Sequence, residues 1–243
     1  MPILNIKKIS KHFGGVFAVN NLTLTFESGK IIGIVGPNGS GKSTLTNLLT
    51  GIYKPDHGQI TLNGLVLHQI IPYQNPLLGI TRSFQEVRLF EQMPVIDNLL
   101  VVLTEKNVFA SLFSRHKQLD ELRAKQLLET VGLWDKRHQL ALHLSYGQRK
   151  LLEIARVLAM DAQIIFLDEP FAGLFKEMTK IVINLIQQLR KAGKTIILIE
   201  HNMELIRELC DDLYILNEGK LLAQGTPNVV LSEKKVIEAY LGE

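Results

Sequence analysis

Apolar residues in this chain gather in short runs separated by glycine and polar turns, a pattern of strands alternating with helices. Runs at residues 3–8, 22–26, 31–35, 59–62 and 80–84 read as strands. From there to about residue 159 helical spacing dominates, as in 118–131, where Leu119, Leu122, Leu127, Leu128 and Val131 form an apolar stripe. Strands then return at 163–167, 195–199, 212–217 and 220–224, with helices at 177–191, 202–209 and 232–241. Early antiparallel strands followed by a parallel core predict an α/β fold. The helical middle reads as an insertion, giving one domain over 1–243 with a core of 1–85 and 150–243 and a helical subdomain of 86–149.

Composition narrows the setting without naming the chemistry. The 243 residues suffice to bury a substantial core, and the longest apolar stretches, such as Ile196-Ile197-Leu198-Ile199, are strand-sized and far too short to span a bilayer. The start, Met1-Pro2-Ile3-Leu4-Asn5-Ile6-Lys7-Lys8, has no basic segment followed by a long apolar centre, so a cytosolic chain is expected. The formal charge of +3, spread over mixed Lys, Arg, Asp and Glu, does not argue for nucleic-acid binding. A single cysteine, Cys210, rules out an internal disulfide and a cysteine-built metal site and reads as a core or helix-face residue. His12, His57, His68, His116, His138 and His143 have no ligand-like grouping.

Two motifs bring the chemistry. Gly36-Pro37-Asn38-Gly39-Ser40-Gly41-Lys42-Ser43 fits G-x-x-x-x-G-K-[ST] and follows the buried strand Ile31-Ile32-Gly33-Ile34-Val35. Its glycines let backbone N–H groups turn inward onto phosphate oxygens, and the helix beginning near Gly41 and running through Thr44 adds its positive N-terminal end. Lys42 is placed for the β- and γ-phosphates, and Ser43 offers a hydroxyl to Mg²⁺, a hard ion that takes oxygen ligands. Binding of a nucleotide is the conclusion. The second motif is Ile164-Ile165-Phe166-Leu167-Asp168-Glu169, an apolar strand ending in two carboxylates. In open α/β sheets ligands bind beyond the carboxyl ends of the strands, which makes Asp168 a partner for Mg²⁺ through water and Glu169 the group that orients the attacking water. Acidic residues at strand ends also serve as turn formers or helix caps, so the phosphate loop is what gives this pair its weight.

With Leu144-Ser145-Tyr146-Gly147-Gln148 added, these residues resemble the ATP-binding-cassette (ABC) family over essentially the whole chain and in the expected order. The resemblance implies a P-loop NTPase core of ABC ATPase type with an antiparallel β subdomain and an inserted helical subdomain. It implies two nucleotide-binding subunits, identical or different, paired head to tail, with each ATP held between the phosphate loop of one and the signature of the other. Ser145 and the N–H groups around Gly147 would then meet the γ-phosphate, although the same string describes an ordinary N-capped helix. By the same resemblance Gln85 is the hinge glutamine that touches Mg²⁺ and the water, His201 the switch histidine on the γ-phosphate, and Phe13 the aromatic that stacks on adenine. Each has a plainer reading: a surface glutamine, a structural histidine at a strand end, a core aromatic.

Within that family the segments Phe84-Gln85-Glu86-Val87-Arg88-Leu89-Phe90, Leu152-Glu153-Ile154-Ala155-Arg156, Glu200-His201-Asn202-Met203 and Ala239-Tyr240-Leu241-Gly242-Glu243, with Tyr146, are similar to ATP-binding subunits of branched-chain amino acid importers. The resemblance implies transmembrane permease subunits as partners, a solute-binding protein acting indirectly, and a peripheral place on the cytoplasmic face of the membrane. The alternatives are cassettes that drive lipopolysaccharide or lipid export, which share Asp168-Glu169-Pro170-Phe171-Ala172-Gly173, and a non-transport ATP-gated clamp, against which the absence of a long coiled coil counts. Two positions depart from the general family pattern: Tyr146 stands where a glycine is usual, and Phe175 where Asp or Asn is usual. The second departure predicts weakened coupling between paired ATP sites.

Overall fold

The computed structural model describes residues 2–104 and 114–241. The chain divides into two compact units, Met1–Arg82 with Gln163–Glu169 and Ile186–Glu243, and Ser83–Ala162 with Pro170–Leu185.

The first unit contains two sheets. Strands β1 (Pro2–Phe13), β2 (Val16–Glu27), β4 (His57–Leu62) and β5 (Leu65–Leu67) form an antiparallel sheet in the order β2-β1-β4-β5. The second sheet has six strands in the order β10-β9-β3-β8-β7-β6, comprising β3 (Ile31–Val35), β6 (Ile80–Arg82), β7 (Ile164–Asp168), β8 (Thr195–Ile199), β9 (Asp212–Asn217) and β10 (Lys220–Gly225). Every pairing from β9 to β6 is parallel, and only the terminal β9–β10 hairpin is antiparallel. Strands β3, β7 and β8 are buried throughout, which is why they read as unbroken apolar runs rather than alternating ones. Leu4, Ile6, Leu24, Phe26, Ile32, Leu45, Phe166, Ile197 and Leu216 belong to one continuous buried cluster that includes residues of both sheets and of helix α1 (Lys42–Leu49). The predicted strands fall where the sequence placed them, with β1 and β2 longer than expected and β5 not anticipated; its Leu65, Val66 and Leu67 lack the alternation that marks a half-buried strand.

The second unit is mostly helical. It holds α2 (Val95–Thr104), α3 (Ser114–Thr130) and α4 (Tyr146–Ala159), with both of the first two helices packed on α4. Because α4 groups with these helices, the compact unit continues past residue 149, where the sequence division drew its border. The buried stripe of the 118–131 segment is Ala124, Leu128 and Val131, while Leu119 and Leu122 are exposed. Spacing i, i+4, i+7 selects the inner face, and the two outlying leucines lie off it. Helix α5 (Lys176–Lys191) runs across the division between the units, and α6 (Met203–Leu209), α7 (Pro227–Val230) and α8 (Lys234–Leu241) complete the first unit. Among the described residues no helix is long and apolar enough to cross a membrane.

Candidate nucleotide-binding site

Parallel register places the chemistry of the first unit at one end of its sheet. Ile34 of β3 lies opposite Ile199 of β8, which lies opposite Asp168 of β7. The loop after Val35, the pair Asp168-Glu169 and the segment Glu200-His201 therefore all leave the sheet at its carboxyl edge, where an open parallel sheet binds ligands.

The phosphate loop is held by neighbours that tolerate only glycine. A Cβ on Gly36 would lie 2.2 Å from the carbonyl oxygen of Leu216 in β9, and one on Gly41 2.3 Å from the carbonyl oxygen of Ala18 in β2. Gly41 also has φ +100°, a left-handed conformation that glycine adopts without steric cost. The turn between β9 and β10 braces the loop further, since the Gly219 N–H donates to the Ser40 carbonyl at 3.0 Å. No side chain caps α1 at Gly41. The first N–H groups of any helix lack intrahelical acceptors, so this start keeps its donors and positive dipole end available to an anion. Ser40 and Lys42 are buried, whereas Asn38, Gly39 and Ser43 are exposed; Pro37 and Thr44 lie between these extremes. Lys42 Nζ donates to the carbonyls of Gly36 at 2.8 Å and Pro37 at 3.0 Å. Burial pulls the Lys42 ammonium below the usual lysine value, and the charges of Glu169 and Asp168 oppose that pull. An ammonium held by carbonyls near two carboxylates is matched to a polyphosphate, which would supply charged oxygens in place of the carbonyls.

Asp168 is buried and ion-paired to Arg82, the last residue of β6, with Nη2 to Oδ2 at 2.9 Å. Glu169 follows at φ +46°, a left-handed backbone that costs a non-glycine residue about 1 kcal/mol. Its N–H donates to the Ile199 carbonyl at 2.9 Å, which fixes the sharp turn off β7. Its carboxylate Oε1 lies 3.0 Å from His201 Nε2. The buried carboxylate of Glu200 accepts the backbone N–H of His201 at 3.0 Å, and Asn202 caps α6 by accepting from Glu204 and Leu205. The histidine is thus aimed by its own chain. Phe13, at the end of β1, is half exposed, with Tyr53 in a T-shaped ring contact at 5.1 Å between centroids and Lys11 Nζ 5.5 Å from the centre of its ring. Lys11 and His12 both bond Asp56, holding that carboxyl down at about 2.

Gln85 and the Leu144–Gln148 signature belong to the second unit. Ser145 is the N-cap of α4 in a full capping box: its Oγ accepts from the Gln148 N–H at 3.3 Å, and the Gln148 side chain accepts from the Ser145 N–H at 3.1 Å. A Cβ on Gly147 would meet Met178 Sδ at 2.6 Å, so this glycine admits the close approach of α5. Tyr146 packs over Gly173, whose added Cβ would lie 2.7 Å from its ring, and Phe175 is three-quarters exposed. The segment carrying Gln85 is gripped by α4. Glu153 Oε1 accepts the Phe84 N–H at 3.1 Å, Lys150 Nζ donates to the Gln85 carbonyl at 3.4 Å, and Arg156 donates to the Arg88 carbonyl. Gln85 itself is exposed.

Arg82, Glu153 and Glu200 were not among the residues singled out from sequence. Arg82 ends β6 and Glu200 follows β8, and a charge directly beside a strand is the signal that could have found them; Glu153 falls in the charged row Lys150, Glu153, Arg156 and carries no such signal. Cys210 is buried beside Gly33, with its thiol pushed up to about 12 by burial, as a core residue should be.

Comparison with known proteins gives the family. Residues 19–172 match the family described as ABC transporter, and residues 220–243 match the one described as branched-chain amino acid ATP-binding cassette transporter. The chain is similar to the high-affinity branched-chain amino acid transport ATP-binding protein LivG of Escherichia coli, at 41% identity across all of this chain and 98% of that one. It is 38% identical to BraF of Pseudomonas aeruginosa, a protein of the same description, with the same shares covered. Among solved structures, the ADP conformation of MJ1267, an ATP-binding cassette of an ABC transporter, superposes with a TM-score of 0.86 at 32% identity, each chain covered in full.

Proposed function

The chain belongs to the ABC transporter family as its ATP-hydrolysing cassette, and we propose that it energises uptake of branched-chain amino acids through transmembrane permease subunits, on the cytoplasmic face of the membrane. The observation that carries the catalytic reading is the contact of Glu169 with His201 at 3.0 Å, at the same sheet edge as the phosphate loop. The match of residues 220–243 to the branched-chain group supports the substrate class.

In this reading the phosphate loop and the start of α1 receive the ATP phosphates, with Gly36 to Thr44 supplying N–H groups and Lys42 exchanging loop carbonyls for the β- and γ-phosphates. Phe13 lies against the adenine. Glu169 accepts a proton from, or orients, the water that attacks the γ-phosphorus, and His201 holds the Glu169 carboxylate while reaching toward the γ-phosphate. Ser43 and Asp168 are hard oxygen donors that fit Mg²⁺. Among the described residues no three His, Cys, Asp or Glu cluster as a metal cage, which suits an ion that arrives with the phosphates. When bound, Mg²⁺ would neutralise charge developing on the phosphate oxygens.

A second cassette completes the site by presenting Ser145, Tyr146, Gly147 and Gln148 to the nucleotide of its partner. The exposed groove lined by Pro94, Ile96, Leu100, Leu122 and Trp134 on the helical unit supports that unit as the face that meets the permease. The test is Mg²⁺-dependent ATP hydrolysis across a range of protein concentrations, for the wild type and for Glu169→Gln. Activity should rise more steeply than linearly with concentration, and the variant should bind ATP without turning it over; unchanged turnover in Glu169→Gln would defeat the catalytic assignment. Stimulation by leucine-loaded binding protein and permease in vesicles tests the substrate class.

A further inference from the structure

Building on Asp168 as the metal partner, we infer that Arg82 is a positioning residue that couples this carboxylate to the helix of the phosphate loop and thereby sets the magnesium dependence of nucleotide binding.

Register explains why the two meet. Arg82 of β6 lies opposite Phe166 of β7, and side chains two apart on a strand share a face, so Arg82 emerges on the face that carries Asp168. Both side chains are more than nine-tenths buried. The guanidinium divides its donors. Nη2 bonds Asp168 Oδ2 at 2.9 Å, while Nη1 bonds Asn47 Oδ1 at 2.5 Å and reaches Thr50 Oγ1 at 3.4 Å. Asn47 lies in the last turn of α1 and Thr50 closes it. The helix is stiff, and the phosphate loop with Lys42 and Ser43 forms its other end. One planar fork therefore fixes Asp168 against the same rigid element that carries Ser43.

Stability alone does not account for an ion pair buried at this position. A well-packed apolar pair would stabilise this position as well or better, since burying two charges costs most of what their attraction returns. What the pair provides that an apolar pair cannot is a carboxylate kept at one place and in one orientation relative to α1. Lysine would not replace it, because a single ammonium cannot reach both Asp168 and the α1 terminus in fixed geometry.

Binding of a fluorescent ATP analogue to the full chain, in excess EDTA and along a Mg²⁺ titration, separates the alternatives. The wild type should gain affinity with Mg²⁺. Arg82→Gln should keep its affinity in EDTA within about twofold while requiring about tenfold more Mg²⁺ for half of that gain, as expected when a residue supporting a metal ligand is removed. Arg82→Lys should fall between the two, and it carries the test should the glutamine variant fold poorly. Combining Arg82→Gln with Asp168→Asn should add little to the Asp168→Asn loss. A wild-type Mg²⁺ titration in the Arg82 variants, or an equal loss of affinity in EDTA and in Mg²⁺, overturns the inference. No gain from Mg²⁺ in the wild type itself would instead overturn the reading of Asp168 on which it rests.

Discussion

His201 Nε2 and Glu169 Oε1 stand 3.0 Å apart, brought together from the ends of two adjacent parallel strands whose register sets Asp168 beside Ile199. The pair is partly exposed, and the left-handed turn at Glu169 leaves its carboxylate at the strand edge rather than folded back into the sheet. His201→Ala removes the group that holds this carboxylate without touching the phosphate loop. It should lower kcat by about 100-fold and change KM for ATP little, in line with loss of an acid–base partner. Steady-state kinetics under saturating Mg²⁺ decides this, and a change confined to KM would argue against the pairing.

Lys42 is the group for which binding and stability should part company. Its ammonium is buried, and burial lowers its pKa. A lysine whose folded pKa is depressed carries a cost that is fully present below that pKa and disappears as pH rises to the unfolded value. Lys42→Met removes the cost while giving up the bonds to Gly36 and Pro37. Its unfolding free energy at neutral pH should stay within about 1 kcal/mol of wild type. ATP binding should weaken by about 2 kcal/mol, or roughly 30-fold. Denaturation at neutral and alkaline pH should show the wild type gaining on the variant as pH rises through that window.

Glu153 gives the opposite sign. Desolvation raises its pKa, opposed by the Phe84 N–H, the charge of Lys150, the Arg88 N–H and the charge of Arg156. Its Oε2 is buried without a hydrogen-bond partner. An acid with a raised folded pKa binds more protons folded than unfolded, so stability falls as pH rises from the ordinary glutamate range through the raised value. Glu153→Gln keeps an acceptor for Phe84 and removes that dependence, and should be at least as stable as wild type at neutral pH. Glu153→Leu orphans the Phe84 N–H beside Lys150 and should cost about 1–3 kcal/mol. Chemical denaturation of the three proteins at acidic and neutral pH checks both statements.

Two glycines in the two motifs should respond differently to the same substitution. At Gly36 the new methyl would meet a backbone carbonyl, Leu216 O, which cannot move without breaking β9. Gly36→Ala should cost more than about 3 kcal/mol or fail to fold. At Gly147 it would meet Met178 Sδ, the outer part of a flexible side chain, so Gly147→Ala should cost less than about 1 kcal/mol. Thermal unfolding of both variants tests the difference, and equal losses would contradict the packing described.

The amino-acid sequence by itself determined the elements that depend on local chemistry. Unbroken apolar runs marked β3, β7 and β8 because strands buried on both faces have no polar side to show. The glycine pattern, Lys42 and Ser43 announced a phosphate loop because phosphate recognition by backbone N–H groups requires that spacing over a few residues. Signature Ser145 was legible for the same reason, as a cap formed within four residues. What only the tertiary structure decided are relations that cross the chain. That Arg82 meets Asp168 across 86 residues follows from strand register, which no local window contains. That Lys150, Glu153 and Arg156 grip residues 84–88 depends on where α4 lies against a segment some 65 positions earlier, and a charged i, i+3, i+6 row reads in sequence as a solvated helix face. Leu119 and Leu122, apolar yet exposed, show a related limit: hydrophobicity specifies that a residue gains by burial, while the faces available to bury it are set by neighbours that only the folded chain supplies.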